Sequence, residues 1–213
     1  VEFIDSKLDD YVCLHTSDEP QILYELNRET HLKVLQPRML SGHFQGRLLS
    51  MISKLISPTN ILEIGTYTAY STLCLLEGLN KNGKITTIDI NEELEDIVRK
   101  YISKAEAEQK IDYQIGDAIE IIPTLNQEFD LVFIDADKTN YVNYYNLVFD
   151  KVKSGGFILT DNVLWSGKVI QPLKKDDLDT KIILEFNEMV KNDDRVETIL
   201  LPIRDGLMLT RKK

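Results

Sequence analysis

The chain has 213 residues, 43% of them hydrophobic and 28% charged, the balance of a folded globular protein. A formal net charge of −10 disfavours a surface that follows a nucleic-acid backbone, which needs concentrated lysine and arginine. No apolar run approaches a membrane span, and Val1-Glu2-Phe3-Ile4 lacks the basic and apolar regions of a signal peptide, so a cytoplasmic location is expected.

Residues 1–57 read as helical. Asp18-Glu19-Pro20 suits a first helical turn, with Ile22, Leu26 and Glu29 along the segment that follows. From Gly42, the residues Phe44, Leu48, Leu49, Ile52, Leu55 and Ile56 recur at helical spacing and predict one broad apolar stripe, ended by Ser57-Pro58-Thr59. Beyond Pro58 the pattern changes to short apolar runs at 60–64, 84–89, 111–115, 129–135 and 157–161, which read as strands. Between them, helices are expected near 69–79, 91–106, 117–125 and 138–152. This alternation implies parallel βαβ units, hence an α/β, doubly wound, Rossmann-like sheet. A further helix at 176–192 precedes runs at 195–203 and 207–211, joined through Arg204-Asp205-Gly206, which predict an antiparallel strand pair at the sheet edge. Without repeats or a flexible linker, 1–213 is treated as one domain, with N-terminal helices (1–57) covering the site of an α/β core (58–213). Cys13 and Cys74 lack metal-ligand spacing and read as buried or idle thiols.

Ligands of open α/β sheets sit beyond the carboxyl ends of the strands. The first strand runs into Gly65-Thr66-Tyr67-Thr68-Ala69-Tyr70-Ser71, where Gly65 permits a sharp turn and Glu63 places a carboxylate at the strand end. Asp89, 24 residues after Gly65, ends the second strand, positioned to accept hydrogen bonds from two ribose hydroxyls. NAD is the competing ligand, but the loop has no G-x-G-x-x-G pattern to cradle a pyrophosphate. Glu63 suits the amine of a methionine moiety instead, which favours S-adenosylmethionine. Gly116-Asp117-Ala118 follows the third strand, either flanking an adenine ring or simply capping the next helix with Asp117.

Asp135, Asp161 and Asn162 stand at the ends of the fourth and fifth strands. Two carboxylates and an amide oxygen suit a hard divalent cation, magnesium by default and manganese or calcium otherwise. The competing reading makes both aspartates helix caps or turn residues. His15, His31 and His43 precede the sheet and read as solvated or structurally satisfied. Lys138 is then the candidate base, or else a solvated lysine at a helix start. An unperturbed lysine titrates near ~10.4, so a neighbouring cation or burial is needed for it to act as a neutral amine.

From about Gln36 to Lys213 the chain resembles the cation-dependent O-methyltransferases of the caffeoyl-CoA and catechol type. The motifs that carry the resemblance are 62–71, 133–138, 160–165 and the closing Arg204-Asp205-Gly206. The resemblance implies a seven-stranded, mostly parallel sheet with an antiparallel C-terminal pair. It implies Asp135, Asp161 and Asn162 as metal ligands, with Lys138 and Asp135 catalytic. It implies donor contacts at Ser41, Glu63, Gly65, Thr66, Ser71, Asp89, Ala118, Asp135 and Asp137. Ser166 would touch the acceptor, and Trp165 would wall an aromatic ring or pack beneath its own loop. A homodimer and a small aromatic hydroxyl substrate are further implications. Methylation of a hydroxylated tRNA base is the alternative, needing a basic rim from Lys168, Lys174, Lys175, Arg204, Arg211, Lys212 and Lys213. A different class of alternative is an NAD oxidoreductase or a non-catalytic nucleotide- or metal-binding protein. One departure stands out: the family usually has glycine where this chain has Ala69.

Overall fold

The computed structural model describes residues 5–213, so the signal-peptide expectation for residues 1–4 lies outside the described residues. In chain order the elements are α1 (Ser6–Leu14), α2 (Gln21–Lys33), α3 (Gly42–Ile56), β1 (Asn60–Ile64), α4 (Tyr70–Leu76), β2 (Lys84–Asp89) and α5 (Glu95–Lys104). These are followed by β3 (Ile111–Ile115), α6 (Ala118–Ile121), β4 (Phe129–Ile134), α7 (Tyr141–Phe149), β5 (Val152–Asp161), α8 (Leu178–Lys191), β6 (Val196–Leu201) and β7 (Leu207–Lys212). Strand order is β3-β2-β1-β4-β5-β7-β6, with β1 to β5 parallel and β7 antiparallel to both β5 and β6. Among the described residues no helix is long and apolar enough to cross a membrane.

Alternation along the central strands builds two cores. Ile61, Leu131 and Phe133 face the layer that holds α2 to α5, while Leu62, Ile64, Val132 and Ile134 face α7 and α8. Strand order reverses beside β1, whose neighbours are β2 and β4, so a crevice opens at the carboxyl ends of β1 and β4.

The helical segments are shorter than their periodicity predicts, for identifiable reasons. The expected helix at 117–125 is α6 followed by a 3₁₀ turn, Ile122–Thr124, because Pro123 offers no amide hydrogen. The expected helix at 138–152 is a 3₁₀ turn, Lys138–Asn140, and then α7; β5 begins at Val152, five residues before the predicted strand. Residues 34–41 interrupt the predicted N-terminal helices with an irregular segment holding one 3₁₀ turn, Pro37–Met39.

The stripe expected on α3 is corrected in its composition. Leu49 is buried, but Leu55 is 79% exposed, and the other buried positions are Gln45, Gly46, Ser50 and Ser53. A small-residue face is needed because α4 packs close: a Cβ on Gly46 would lie 2.7 Å from Tyr70 Cε1 and 2.9 Å from Cys74 Sγ. Cys74 is buried and Cys13 half-buried, both as free thiols. The three histidines each meet a backbone carbonyl, those of Tyr11, Asn27 and Ser17.

Candidate active site

A crevice of about 1780 Å³ lies over the strand ends. Of the expected donor-binding residues, Gly65, Asp89, Ala118, Asp135 and Asp137 line it. Ser41, Glu63, Thr66 and Ser71 lie behind its wall and are all buried.

Gly65 has φ +100°, and a Cβ there would sit 1.9 Å from the Asp135 carbonyl oxygen. The glycine therefore lets the ends of β1 and β4 meet, before any ligand is considered. Asp89 is locked in place by two backbone amides, Tyr67 N at 2.6 Å on Oδ2 and Asn91 N at 2.9 Å on Oδ1. Each carboxylate oxygen keeps a second lone pair free. Asp117 does cap α6, accepting the Ile119 amide at 2.8 Å, and it also lines the crevice, so the two readings of that turn coexist. Asp137 accepts from Tyr144 Oη at 2.5 Å, Thr139 Oγ1 at 2.7 Å and Asn140 Nδ2 at 2.8 Å. Burial works against its ionisation, but these hydrogen bonds outweigh it and hold its carboxyl below the ordinary range. Tyr67 Oη donates to Gln36 O at 2.9 Å, tying the irregular 34–41 segment to the β1–α4 loop. Ala69 stands at φ +69°, ψ +20°, a left-handed position that costs a non-glycine residue about 1–2 kcal/mol.

Glu63 is fully buried and accepts hydroxyls from Ser71 at 2.6 Å, Thr87 at 2.6 Å and Thr72, while Thr66 Oγ1 meets Thr87 Oγ1 at 2.6 Å. Loss of hydration pushes the Glu63 carboxyl up to about 7, against the pull of its three hydroxyl partners. The expected donor contacts Glu63 and Ser71 are thus each other's partners beneath the loop, and Thr66 joins them through Thr87.

At the other end, parallel pairing of β4 with β5, in register at Ile134 and Thr160, brings Asp135 beside Asp161. Asn162 follows with φ +58°, a left-handed conformation that asparagine tolerates better than most residues. Lys138 Nζ donates to Tyr141 Oη at 2.6 Å, Asn162 Oδ1 at 2.7 Å and Ala136 O at 2.9 Å, and lies 3.5 Å from Asp135 Oδ1. Lys138 is thus part of the cluster and not a solvated helix-start residue. Asp161 is pushed up to about 7, by burial first and by the Asp135 charge second. A buried carboxylate, Asp161, repelled by the half-buried Asp135, with an amide oxygen beside them, is a donor set suited to a hard divalent cation. Trp165 and Ser166 line the same end of the crevice. The Trp165 ring lies 5.8 Å from Lys138 Nζ, and Ser166 N donates to Asp205 Oδ1.

Three participants have roles here that the sequence did not reveal. Gln45 Nε2 donates to Asp161 Oδ2 at 2.6 Å, Arg204 Nη1 donates to Leu40 O at 2.9 Å, and buried Tyr141 Oη donates to Asp161 O at 3.0 Å. Tyr141, three residues past Lys138, and Arg204, in the closing Arg204-Asp205-Gly206 motif, carried a local signal but not these roles; Gln45 carried none.

The family model described as O-methyltransferase matches residues 14–213. Caffeoyl-CoA O-methyltransferase of Petroselinum crispum is 38% identical over 205 residues, covering 91% of this chain and 85% of that protein. Caffeoyl-CoA O-methyltransferase 1 of Arabidopsis thaliana is 35% identical over 205 residues, covering 91% and 79%. Among solved structures, an SAH-bound methyltransferase from Podospora anserina superposes with a TM-score of 0.89 at 26% identity, covering 98% of this chain and 94% of that one. The O-methyltransferase from Bacillus cereus in complex with SAH gives 0.86 at 27% identity, with 97% of each chain covered. With a family match running nearly end to end, over a crevice built at the strand ends of a seven-stranded sheet, this chain belongs to the O-methyltransferase family and is an enzyme of the caffeoyl-CoA type.

Proposed function

We propose that the protein transfers a methyl group from S-adenosylmethionine to a hydroxyl of a small aromatic acceptor, assisted by a divalent cation, magnesium by default, held by Asp135, Asp161 and Asn162. The observation that carries this reading is the convergence of Asp135, Lys138, Asp161 and Asn162 at one end of a crevice whose other end presents Gly65, Asp89 and Ala118. The SAH in the solved relatives from Podospora anserina and Bacillus cereus supports the donor assignment. The donor supplies an electrophilic methyl on sulfur, and the cation supplies charge that favours the ionised form of a nearby acceptor hydroxyl.

The protein's own residues do the rest. Asp89 orients the donor's ribose, and the amides that grip its carboxylate keep it from turning. Lys138 Nζ receives the acceptor's hydroxyl proton. The ammonium so formed finds three acceptors for its three protons in Tyr141 Oη, Asn162 Oδ1 and Ala136 O. Trp165 walls the acceptor ring and Ser166 contacts its edge. Met39, in the segment Met39–Ser41 that the family resemblance gives as closing over the donor, lines the crevice beside Gln36 and Arg38; closure of that segment would exclude water and hold the two reactants at reacting distance.

Of the seven basic residues that tRNA methylation would call on, Lys174 and Lys175 are exposed and, among the described residues, outside any ion pair, and the other five are less suited to a rim. Lys168 is paired with Asp177 at 3.1 Å, Arg204 turns inward to backbone carbonyls, and Arg211 is paired with Glu197 at 3.3 Å. Because β7 runs antiparallel to β5, Arg211, Lys212 and Lys213 lie toward the opposite end of the sheet from Asp161. The deciding experiment is a labelled-methyl assay with S-adenosylmethionine over vicinal diphenols, their thioesters and hydroxylated tRNA, with magnesium and with a chelator. Methylation of a phenol that stops on chelation is the expected result. Transfer to phenols that is indifferent to chelation would remove the cation from the reading, and transfer to tRNA alone would replace the acceptor.

A further inference from the structure

Gln45 belongs to α3, outside the strands that supply the cluster, yet its side chain is 1% exposed and reaches the carboxylate of Asp161. The direction of its amide is set from both ends. Nε2 donates to Asp161 Oδ2 at 2.6 Å, and Oε1 accepts from Arg204 Nη1 at 3.4 Å. An ionised carboxylate only accepts and a guanidinium only donates, so the flipped amide would set oxygen against oxygen and nitrogen against nitrogen. Arg204 is itself anchored, its Nη1 also donating to Leu40 O at 2.9 Å and to Ser41 O.

The other oxygen of Asp161, Oδ1, accepts the Asn162 amide at 2.7 Å. The carboxylate is therefore gripped at both oxygens, each keeping a second lone pair free to face the crevice. One grip comes from the next residue and is unavoidable; the other comes from a helix 116 positions earlier and exists only because the chain folds over its own sheet. A carboxylate held at Oδ1 alone can still swing about its Cβ–Cγ bond, and Gln45 removes that freedom.

We propose that Gln45 is a positioning residue of the cation site: it fixes the plane of the Asp161 carboxylate toward Asp135 and Asn162, and Arg204 aims it. The proposal rests on the cation reading given above. The test is a split between two binding constants, measured by calorimetry on the full chain without acceptor: Mn²⁺ as the cation probe and S-adenosylhomocysteine as the donor-site probe. Gln45→Met keeps the length of the side chain and removes both hydrogen bonds. The Mn²⁺ Kd is expected to rise about 10-fold or more, the range seen when a partner of a metal ligand is lost, with the S-adenosylhomocysteine Kd within about 2-fold of wild type. Arg204→Met should weaken Mn²⁺ less, and the double variant should bind no more weakly than Gln45→Met alone, because Arg204 acts through the amide.

Circular dichroism and thermal unfolding establish that each variant is folded. Should Gln45→Met fail to fold, Gln45→Asn, whose amide is too short to span both partners, is read by the same criteria. A folded variant whose Mn²⁺ Kd stays within about 2-fold of wild type overturns the positioning role while leaving the cation reading intact. Additive losses in the double variant overturn the part assigned to Arg204. A wild-type protein that binds no Mn²⁺ overturns this inference and the cation reading together.

Discussion

Glu63 offers a direct measure of how the cofactor end of the sheet is held. Its side chain is fully buried among Ser71, Thr72 and Thr87, and its carboxyl is pushed up to about 7 from an ordinary value near 4.5. Between those two values the folded protein binds a proton at Glu63 that the unfolded chain releases, so stability must fall as pH rises through that window and level off above it. The full separation of the two values is worth about 3 kcal/mol. Glu63→Gln keeps the shape and abolishes the titration, and the hydroxyls can rotate to serve an amide. Urea unfolding of both proteins at pH 5, 6, 7 and 8, with chelator present, isolates the contribution of this group, because Asp161 titrates equally in each. The advantage of wild type over variant should shrink by about 2.5 kcal/mol from pH 5 to pH 8, the rest of the change lying below pH 5. A difference that stays constant across the series would refute the claim that Glu63 is held as a buried, proton-sharing carboxyl.

Gly65→Ala would place a methyl against the Asp135 carbonyl oxygen at a backbone angle alanine resists, and unfolding in urea should show a loss on the order of 2–4 kcal/mol; an unchanged midpoint would contradict the close approach of β1 and β4. Asp135→Asn removes the charge that raises Asp161, so at pH 8 in chelator its melting temperature should not fall, while methyl transfer with magnesium drops by roughly 100-fold or more. Retained activity there would end the assignment of Asp135. Tyr141→Phe leaves Lys138 and the Asp161 carbonyl each one partner short inside the protein, a cost of about 1–3 kcal/mol. That cost should appear in urea unfolding; steady-state kinetics should show a fall in kcat with acceptor KM unchanged, because Tyr141 holds Lys138 and not the acceptor, and the opposite division would place Tyr141 in acceptor binding.

Much of the architecture was written in local pattern. Apolar runs alternating with amphipathic ones demanded parallel βαβ units, and Asp-Gly near the C-terminus demanded a hairpin, because strand and helix periods are properties of neighbouring residues. The oxygen donors Asp135, Asp161 and Asn162 were legible for the same reason: strand ends can be located from sequence, and parallel neighbours bring their ends together. Lys138 belonged to the same short turn as Asp135 and could be found with it.

Other features depended on where distant segments met. The stripe drawn on α3 included Leu55, which faces solvent, and omitted Gln45, Gly46 and Ser53, because that face was chosen by the close approach of α4 and not by hydrophobicity. Glu63 stood at a strand end as expected, but only the packing of α4 and β2 against it turned it from a crevice-facing carboxylate into a buried one. Period and composition therefore determined which strands form and which side chains arrive at their ends. The tertiary structure alone decided which of those side chains face the crevice and which become each other's partners, since a hydrogen bond across a hundred residues leaves no trace in local spacing.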